Sequence, residues 1–371
     1  MTTVSHARAR RRDRRVYLYS HPLLFGLLAA TRGRPVRRLG GTLLVHGAQA
    51  YREALTRLPL DRTAAGTTGA AARSALREGG GVLFDQEGGG HRADRRSLAG
   101  ALGTAGVEEL RAGWQPLLVR RLAPLERGGE VDLVDLAREP SGSVVCALLG
   151  SGADPREVAE AAGEAAAASV RSHLPGPRRP RAEATAARAT DRLRLLLGPA
   201  GGARAAMVAV AAVNTTVAAL PRAVAWCADA RLWEHAADGA LRPALADELL
   251  RVTAASPLLP RAAAADGTVG GCPVRGGDRL LLVARHAAAA HRRDPDAVRP
   301  ADPAVARLVF GAGPHSCPGA RLARVQLADV LGALAPYRPV VTRARVDRGA
   351  ALPGWRALTV RARHGHAGAG S

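Results

Sequence analysis

The sequence lacks or nearly lacks several residue types. It has no lysine and no isoleucine, only one asparagine (Asn214), and 3% aromatic residues. Its four cysteines show none of the close pairs typical of structural zinc sites, and their spacing indicates no disulfide framework. The N-terminal segment has no continuous apolar core of the signal-peptide kind, and no apolar run reads as long enough to cross a bilayer. We therefore expect a soluble, cytoplasmic protein without a membrane contact.

Because lysine is missing, all 53 basic residues are arginines, and with 32 acidic residues they give a formal net charge of +21. Such a charge suits a nucleic-acid-binding protein. However, only RARRRDRR at 8–15 is a dense basic run, and aromatic residues are too few to stack on bases. We expect a flexible basic arm at 1–15 and no nucleic-acid partner. Basic faces that dock an acidic protein are the other interpretation.

Apolar residues at helical spacing recur through most of the chain, for example in 203–230 and 318–335. Strand-like pieces such as 279–284 are few and short. There is no internal repeat and no long polar linker. The pattern predicts a single, mostly α-helical domain with small β-sheets over 16–363, followed by a flexible tail at 364–371.

The most informative stretch is FGAGPHSCPGARLAR, residues 310–324. Its glycines allow a tight loop, and Cys317 stands before a long amphipathic helix in which Pro318 suits the first position. The positive end of a helix dipole and its free N–H groups favour a thiolate. The stretch therefore predicts an anionic sulfur held rigidly and suited to bind a metal. A buried structural cysteine would not account for the fixed spacing of the surrounding Phe, Gly and His.

This stretch resembles the haem-binding signature FGxGxHxCxG of the cytochromes P450 and matches it at every defined position. The resemblance implies the cytochrome P450 fold, mostly α with small β-sheets. Haem b then lies between a long distal helix and the helix after the cysteine loop. It also implies that Cys317 is the axial thiolate ligand of the iron, that Phe310 limits solvent access to the sulfur, that His315 points toward a haem propionate, and that Gly319 belongs to the cofactor site.

Two helical segments resemble other parts of the same family. HRADRR (91–96) resembles the HxxxR helix, which implies that His91 and Arg95 reach the propionates; Arg261 resembles the next propionate-binding arginine. These assignments are chemically consistent, because buried carboxylates require paired cations or donors.

DELLRV (247–252) places Glu248 and Arg251 on one helix face and resembles the family's ExxR pair, which helps to fix the cysteine loop. Further on, the segment RPADPAVARLV (299–309), which follows AHRRDPDAV (290–298), is shortened where the family carries another arginine of this network. Arg299 and Arg307 are both candidates to replace it.

AAVNTT (211–216) resembles the family's distal-helix motif, in which small residues precede an acid and a threonine. Ala211, Thr215 and Thr216 match residues of that motif, and the resemblance implies that Ala211 lies at the cofactor. Asn214 replaces the acid, which in the family belongs to the proton relay. An amide does not titrate near neutral pH. Three interpretations stay open. Asn214 holds a water that delivers protons with Thr215, the chemistry needs fewer protons, or Asn214 contacts the substrate.

The resemblance implies a monomeric haem-thiolate monooxygenase that activates O2 with electrons from a ferredoxin and a ferredoxin reductase. It would oxidise a small, largely apolar substrate in secondary-metabolite biosynthesis. One alternative is an enzyme of the same fold that performs coupling, desaturation, peroxide-driven oxidation or isomerisation. Another is a non-catalytic scaffold that binds a partner protein.

Two sets of residues complete the site on the family's pattern. The candidates for docking a ferredoxin are Arg321 and Arg324, with Arg92 or Arg96. The candidates for the substrate pocket, each equally compatible with a core position, are Leu83, Phe84, Val210, Val213, Leu258, Leu259 and Trp355.

Overall fold

The computed structural model describes residues 2–76, 88–172, 180–198 and 202–363. Within these ranges helices dominate, which confirms the predicted fold class. The helices are α1 (Thr2–Ser20), α2 (Pro22–Thr31), α3 (Ala48–Thr56), α4 (Thr68–Leu76), α5 (Gly88–Leu102), α6 (Thr104–Glu126), α7 (Leu133–Leu149), α8 (Pro155–Ser172), α9 (Pro180–Leu197), α10 (Ala203–Ala230), α11 (Trp233–Ala237), α12 (Arg242–Thr253), α13 (Ala284–Ala287), α14 (Pro303–Ala306) and α15 (Ala320–Leu334).

Three small sheets flank the helices. The strands are β1 (Val36–Leu39), β2 (Thr42–Val45), β3 (Leu60–Asp61), β4 (Glu130–Asp132), β5 (Leu259–Ala263), β6 (Gly267–Val269), β7 (Cys272–Val274), β8 (Arg279–Leu282), β9 (Val340–Asp347) and β10 (Gly354–Arg361). Their orders are β1-β2-β8-β5-β3, β4-β10-β9 and β6-β7. The β2–β8 pair is parallel and the other pairs are antiparallel.

The 28-residue helix α10 runs through the centre of the molecule. Its first half packs Ala206, Ala209 and Val213 against the alanine-rich face of α8, and its second half enters a core shared with α6, α12 and α15. Small side chains on both helices let α8 and α10 approach closely, which brings backbone groups within reach of side chains across the interface.

Helix α10 also has the length and apolar composition of a membrane span, contrary to the sequence-based expectation that no run reaches that length. In this fold the same properties serve the core, because most of its side chains, including Leu220, Val224 and Trp226, are buried against neighbouring helices. The apolar length of α10 is therefore accounted for by packing.

The basic N-terminal segment is not a flexible arm. Residues 2–20 form α1, which buries Ala9, Val16 and Tyr17 in the core and contacts α10 and the β9–β10 hairpin. The expectation of a solvated arm was wrong because the basic run hides an apolar face at helical spacing. The predicted tail at 364–371 lies outside the described residues.

A buried ionic cluster fixes α1 to α10. The Asp13 carboxylate, 3% exposed, accepts hydrogen bonds from Arg222 on α10 at 2.6 and 2.9 Å and from Arg285 at 2.8 Å. The Tyr17 ring lies between the two guanidinium groups, 4.4 and 4.2 Å from their carbon atoms. The Tyr17 hydroxyl donates to the Thr253 carbonyl at 2.5 Å, so α1 also contacts the end of α12.

We expect Asp13→Asn to destabilise the protein by about 3–5 kcal/mol, because it leaves two buried guanidinium groups without their carboxylate. The measurement is urea-induced unfolding of the purified protein. Glu164→Gln is the matched control, since Glu164 pairs with Arg192 and both side chains are about half exposed. This control should cost less than about 1 kcal/mol. Equal losses in the two variants would contradict a special role for Asp13.

A second buried cluster consists of three histidines beside β2 and α13. Nδ1 of His46 and Nδ1 of His286 are 2.9 Å apart, and the rings of His286 and His291 lie 4.8 Å apart. Burial, reinforced by nearby positive charge that includes Arg32, lowers the pKa of His46 and His291 to about 4 and that of His286 to about 2. All three rings are therefore neutral in the folded protein at pH 7.

Because these folded-state pKa values lie below the unfolded value of about 6.5, the unfolded chain binds more protons in acid. Stability should be full above about pH 6.5 and should fall progressively below it, down to about pH 4 through His46 and His291 and down to about pH 2 through His286. His286→Gln keeps hydrogen-bonding groups but does not titrate. When each protein is compared with its own stability at pH 8, the acid-unfolding midpoint of this variant should therefore lie at lower pH than that of wild type. Circular dichroism during acid titration measures this, with His21→Gln as the control. An unchanged pH dependence would contradict the prediction.

Candidate functional site

The cysteine loop has the compact form that its glycines predict. Gly311 and Gly313 adopt φ values of +79° and +71°, which only glycine adopts readily. A Cβ at Gly313 would lie 3.2 Å from the Leu55 carbonyl oxygen. The loop is closed by the Cys317 N–H, which donates to the Phe310 carbonyl at 2.7 Å.

The helix after the loop begins later than the sequence predicts. Gly319 is its N-cap and Ala320 its first residue, so Pro318 precedes the helix instead of opening it. Cys317 is accessible at the protein surface, yet the packed atoms around it desolvate the thiolate and raise the thiol pKa. The N–H of Gly319 and the charge of Arg95 act in the opposite direction. These two effects do not offset the desolvation, so the thiol pKa stays above its ordinary value, and a bound cation would favour the thiolate.

Helix α5 meets the cysteine loop through both predicted residues. The buried ring of His91 stacks on the ring of His315, with centroids 3.8 Å apart and 27° between the planes. Arg95 Nη1 donates to the Ser316 carbonyl at 2.5 Å. The i, i+4 spacing thus places both side chains of the α5 motif on one side of the loop that carries Cys317.

Arg261 and the buried Arg62 add positive charge at the same place. Desolvation, together with the charges of Arg62, His91, Arg261 and Arg95, lowers the pKa of His315 to about 3. Desolvation and the charge of Arg62 lower the pKa of Arg261 to about 10. Sequence reasoning missed Arg62, because nothing in the sequence distinguishes it from the other arginines.

This cationic group suits an anionic ligand. Arg261 donates to the Thr68 hydroxyl at 3.2 Å and to the Pro260 carbonyl at 2.8 Å, but its buried Nε has no partner among the described residues. The buried Tyr51 hydroxyl likewise has none there. The charged groups that shift the pKa of His315 are all basic. Two carboxylates of a haem would supply the acceptors and the negative charge, and Cys317 would supply a sulfur ligand, so the residues present fit a haem.

The Glu248–Arg251 pair lies behind the loop with both residues fully buried. The two side chains form a bidentate pair at 2.8 and 2.7 Å. Arg251 donates further to the carbonyls of Ala288, Arg293 and Asp294 at 3.1–3.3 Å. Both charges are therefore compensated by direct hydrogen bonds, as burial requires.

Neither candidate arginine completes this network. Arg299 is highly exposed and lies near Asp296, and Arg307 is exposed as well. The Glu248 carboxylate instead accepts hydrogen bonds from the backbone N–H groups of Asp296 at 3.2 Å and Ala301 at 3.0 Å. The shortened segment folds close enough for its own amides to take the place of a guanidinium.

On the distal helix, Thr215 and Asn214 both bond to backbone carbonyls. The Thr215 hydroxyl lies 2.8 Å from the Ala211 carbonyl and 3.4 Å from that of Ala212. The Asn214 side-chain amide donates to the Val210 carbonyl at 2.8 Å and to the Ala162 carbonyl of α8 at 3.3 Å. Asn214 thus contacts a second helix, which the sequence did not indicate.

The pocket candidates divide into three groups. Val213 and Trp355 are 2% and 5% exposed; Val213 packs toward α8 and Trp355 lies beside Asp13 under α1, as in the core alternative that the sequence left open. Val210, Leu258 and Leu259 are partly buried against hydrophobic clusters. Leu83 and Phe84 lie outside the described residues.

A cavity of about 660 Å³ opens beside β3 and β5, with Arg62 and Arg279 in its wall. It includes no residue of α10 and none of the cysteine loop. We therefore do not assign it as the substrate space.

Three of the proposed docking arginines, Arg92, Arg96 and Arg321, are exposed. Arg324 differs, because its guanidinium is paired with Asp247, at 2.7 Å for Nη2. Its charge is largely neutralised locally, so Arg324 adds little to a cationic surface.

Because backbone N–H groups complete the hydrogen bonding of Glu248, neither Arg299 nor Arg307 should matter for stability. Arg299→Ala and Arg307→Ala should each change the free energy of unfolding by less than about 0.5 kcal/mol, as exposed substitutions do. Glu248→Gln should cost about 3–5 kcal/mol, because it leaves the buried Arg251 cation without its carboxylate. Urea unfolding of the three variants provides the measurement. A loss above about 2 kcal/mol in either arginine variant would show that a guanidinium does complete the site.

Comparison with solved structures identifies the fold. The chain superposes on P450BioI, which was solved in complex with an acyl carrier protein ligated to hexadec-9Z-enoic acid. The TM-score is 0.74, at 18% identity, over 93% of this chain and 99% of the other. The chain also superposes on MycCI, the mycinamicin VIII C21 methyl hydroxylase of Micromonospora griseorubida, with a TM-score of 0.70, at 24% identity, over 90% of this chain and 95% of the other. Likeness at this level of identity shows the fold.

Sequence comparison covers less of the chain. A curated relative, the 20-oxo-5-O-mycaminosyltylactone 23-monooxygenase of Streptomyces fradiae, is 38% identical over 103 residues, or 27% of this chain. The match spans about a quarter of that relative's length. The family model described as cytochrome P450 matches residues 240–334, which include the Glu248–Arg251 pair and the cysteine loop. The chain therefore has the cytochrome P450 fold, and its segment from residue 240 to residue 334 belongs in sequence to the cytochrome P450 family.

Proposed function

We propose that the protein is a haem-thiolate monooxygenase that binds haem b between α10 and the cysteine loop. The observation that carries the proposal is the convergence of Cys317, His91, Arg95 and His315 in one loop–helix contact. The buried Nε of Arg261 has no partner among the described residues, and a haem propionate would supply it with an acceptor. When bound, the haem would supply the redox chemistry that activates O2, with electron density donated by the thiolate.

The residues of the proximal side hold the sulfur and the propionates. The Phe310 carbonyl accepts the Cys317 N–H and the N–H of Gly319 lies at the sulfur, so the sulfur is held by backbone hydrogen bonds. Arg95 and Arg261 would neutralise the propionates, and Arg62 is the additional cation that the structure brings to this group. We also propose that Phe310 limits the access of solvent to the sulfur.

On the distal side, Thr215 and Ala211 would border the oxygen-binding space. The Thr215 hydroxyl lies within hydrogen-bond distance of the Ala211 carbonyl, one turn back on the same helix. A hydroxyl in this position can hold a water or pass on a proton while it keeps a backbone acceptor. Delivery of protons would then depend on water and Thr215, because an amide at position 214 does not titrate.

The substrate we propose is a small, largely apolar molecule of secondary metabolism. Val210, Leu258 and Leu259 are the partly buried apolar candidates for its contacts. Names of similar proteins support this class: one relative is a monooxygenase of a mycaminosyltylactone, and two structural neighbours were solved with erythromycin B and with mycinamicin VIII. A macrolide or its precursor is therefore the first class to test.

Electrons would come from a ferredoxin and its reductase, with the exposed arginines Arg92, Arg96 and Arg321 facing an acidic partner. We further propose that the protein acts as a cytoplasmic monomer without a membrane contact. The packing of α10 supports this proposal, because most of its side chains are buried against neighbouring helices.

A second candidate function follows from Asn214. Peroxide-driven oxidation requires less proton delivery than oxygen insertion with O2, because hydrogen peroxide brings its own protons, and here an amide replaces the usual acid. Turnover supported by NADPH with ferredoxin and reductase favours the monooxygenase. Turnover with peroxide alone favours the second candidate.

The proposed function predicts that only one cysteine ligates haem. Wild-type protein supplied with haem should show, after reduction and addition of carbon monoxide, the absorption band of a thiolate-ligated haem. Cys317→Ser should lose that band, because a serine hydroxyl does not supply a thiolate. Cys272→Ser is the matched control, since Cys272 lies on β7, away from the cysteine loop, and it should keep the band. A wild-type protein that binds no haem would overturn the proposal, and so would the band surviving in Cys317→Ser.

A further inference from the structure

The environment of Asn214 requires a hydrogen-bond donor. Its side-chain nitrogen lies 2.8 Å from the Val210 carbonyl oxygen and 3.3 Å from the Ala162 carbonyl oxygen. Both neighbours are backbone acceptors, so the NH2 group, and not the amide oxygen, must face them. An amide has two hydrogens, and each has an acceptor here.

The two acceptors belong to different helices. Val210 is one turn earlier on α10, whereas Ala162 is fully buried on α8. The surrounding interface is built from small apolar residues, with Ala159, Ala165 and Ala209 among them. Apolar side chains of this size pack closely but allow one helix to slide along the other, whereas a hydrogen bond between the helices fixes one position.

We propose that Asn214 is a positioning residue that ties the distal helix α10 to the backbone of α8 and transfers no proton itself. The proposal rests on the proposed function in one respect: α8 and α9 would then form the cover of the distal side, so the tie sets the width of the substrate space. It also explains why the acid of the family motif is absent. A carboxylate at this position would face two carbonyl oxygens, which repel it, and only its protonated form could donate.

The same contacts bear on the three interpretations of Asn214 drawn from the sequence. With both amide hydrogens directed to the backbone, only the side-chain oxygen is left to accept a hydrogen bond from a water or a substrate. The remaining proton path runs through Thr215 and solvent. Position 214 then affects turnover through the placement of α8.

The test compares Asn214→Asp with Asn214→Leu in the haem-loaded protein. The introduced carboxyl can donate only when protonated, so the melting temperature of Asn214→Asp should fall relative to wild type by about 2–4 °C more at pH 8 than at pH 5.5. Asn214→Leu has no titrating group, and its difference from wild type should be the same at both pH values. Hydrogen exchange of Pro155–Ser172, corrected for intrinsic rates, should be about fivefold faster in Asn214→Leu, and in Asn214→Asp at pH 8.

Other outcomes are equally clear. The proposal is overturned if Asn214→Asp follows the pH dependence of wild type, or if exchange in α8 is unchanged in both variants. If Asn214→Asp folds only at pH 5.5 while Asn214→Leu folds at both pH values, the proposal is supported. The carbon monoxide spectrum of Asn214→Leu separates this proposal from the proposed function. If the variant keeps the thiolate band and its α8 exchanges as slowly as in wild type, only the tie is refuted. If wild type itself lacks the band, only the haem-thiolate function is refuted.

Discussion

The carboxylate of Glu248 is the group on which the proximal half of the structure depends. Its two oxygens accept four hydrogen bonds, two from Arg251 and two from the backbone amides of Asp296 and Ala301. Arg251 in turn holds three carbonyls of the segment around residues 288–294. A buried ion pair adds little net stability by itself. Here it fixes the path of an irregular segment whose buried apolar side chains, such as Ala288, Ala290 and Ala297, are small, and α14 and then the cysteine loop follow this segment in the chain.

The Asp13 cluster has the same design on the other side of the core. One carboxylate accepts from Arg222 and Arg285, and the Tyr17 ring between them offers its π-face to both cations. A guanidinium donates in a plane and stacks through its faces, so it can pair and stack at once, which an ammonium group cannot do. A chain without lysine is therefore well suited to such buried clusters. The cluster makes α1 part of the core, although its sequence is among the most basic in the chain.

Much of this architecture was predictable from the sequence, and the failures have physical causes. The spacing of apolar residues predicted the helical fold class, and the cysteine loop, the α5 motif and the Glu248–Arg251 pair indicated correctly which residues meet, because each depends on local spacing. The N-terminal helix was missed because the density of arginines outweighs its narrow apolar face. Arg62 and the amides of Asp296 and Ala301 were missed because long-range packing brings them to their partners, and no local pattern marks them. For Trp355 the sequence left a pocket and a core position equally open, because burial in a core and burial around a ligand look alike in a sequence.

The distribution of charge along the two sides of the site explains why the distal acid could be lost. Between Arg204 and Arg222 the distal helix carries no ionisable side chain, whereas the proximal side gathers Arg62, Arg95 and Arg261. A charge in low dielectric requires a partner, and the charged groups that shift the pKa of His315 are all basic, so this side favours the binding of anionic groups. On the distal side an acid would need a compensating cation that α8, with its buried alanine face, does not provide. A neutral donor meets the carbonyls of Val210 and Ala162 without that requirement. The surroundings of position 214 on α8 therefore favour a neutral donor such as asparagine.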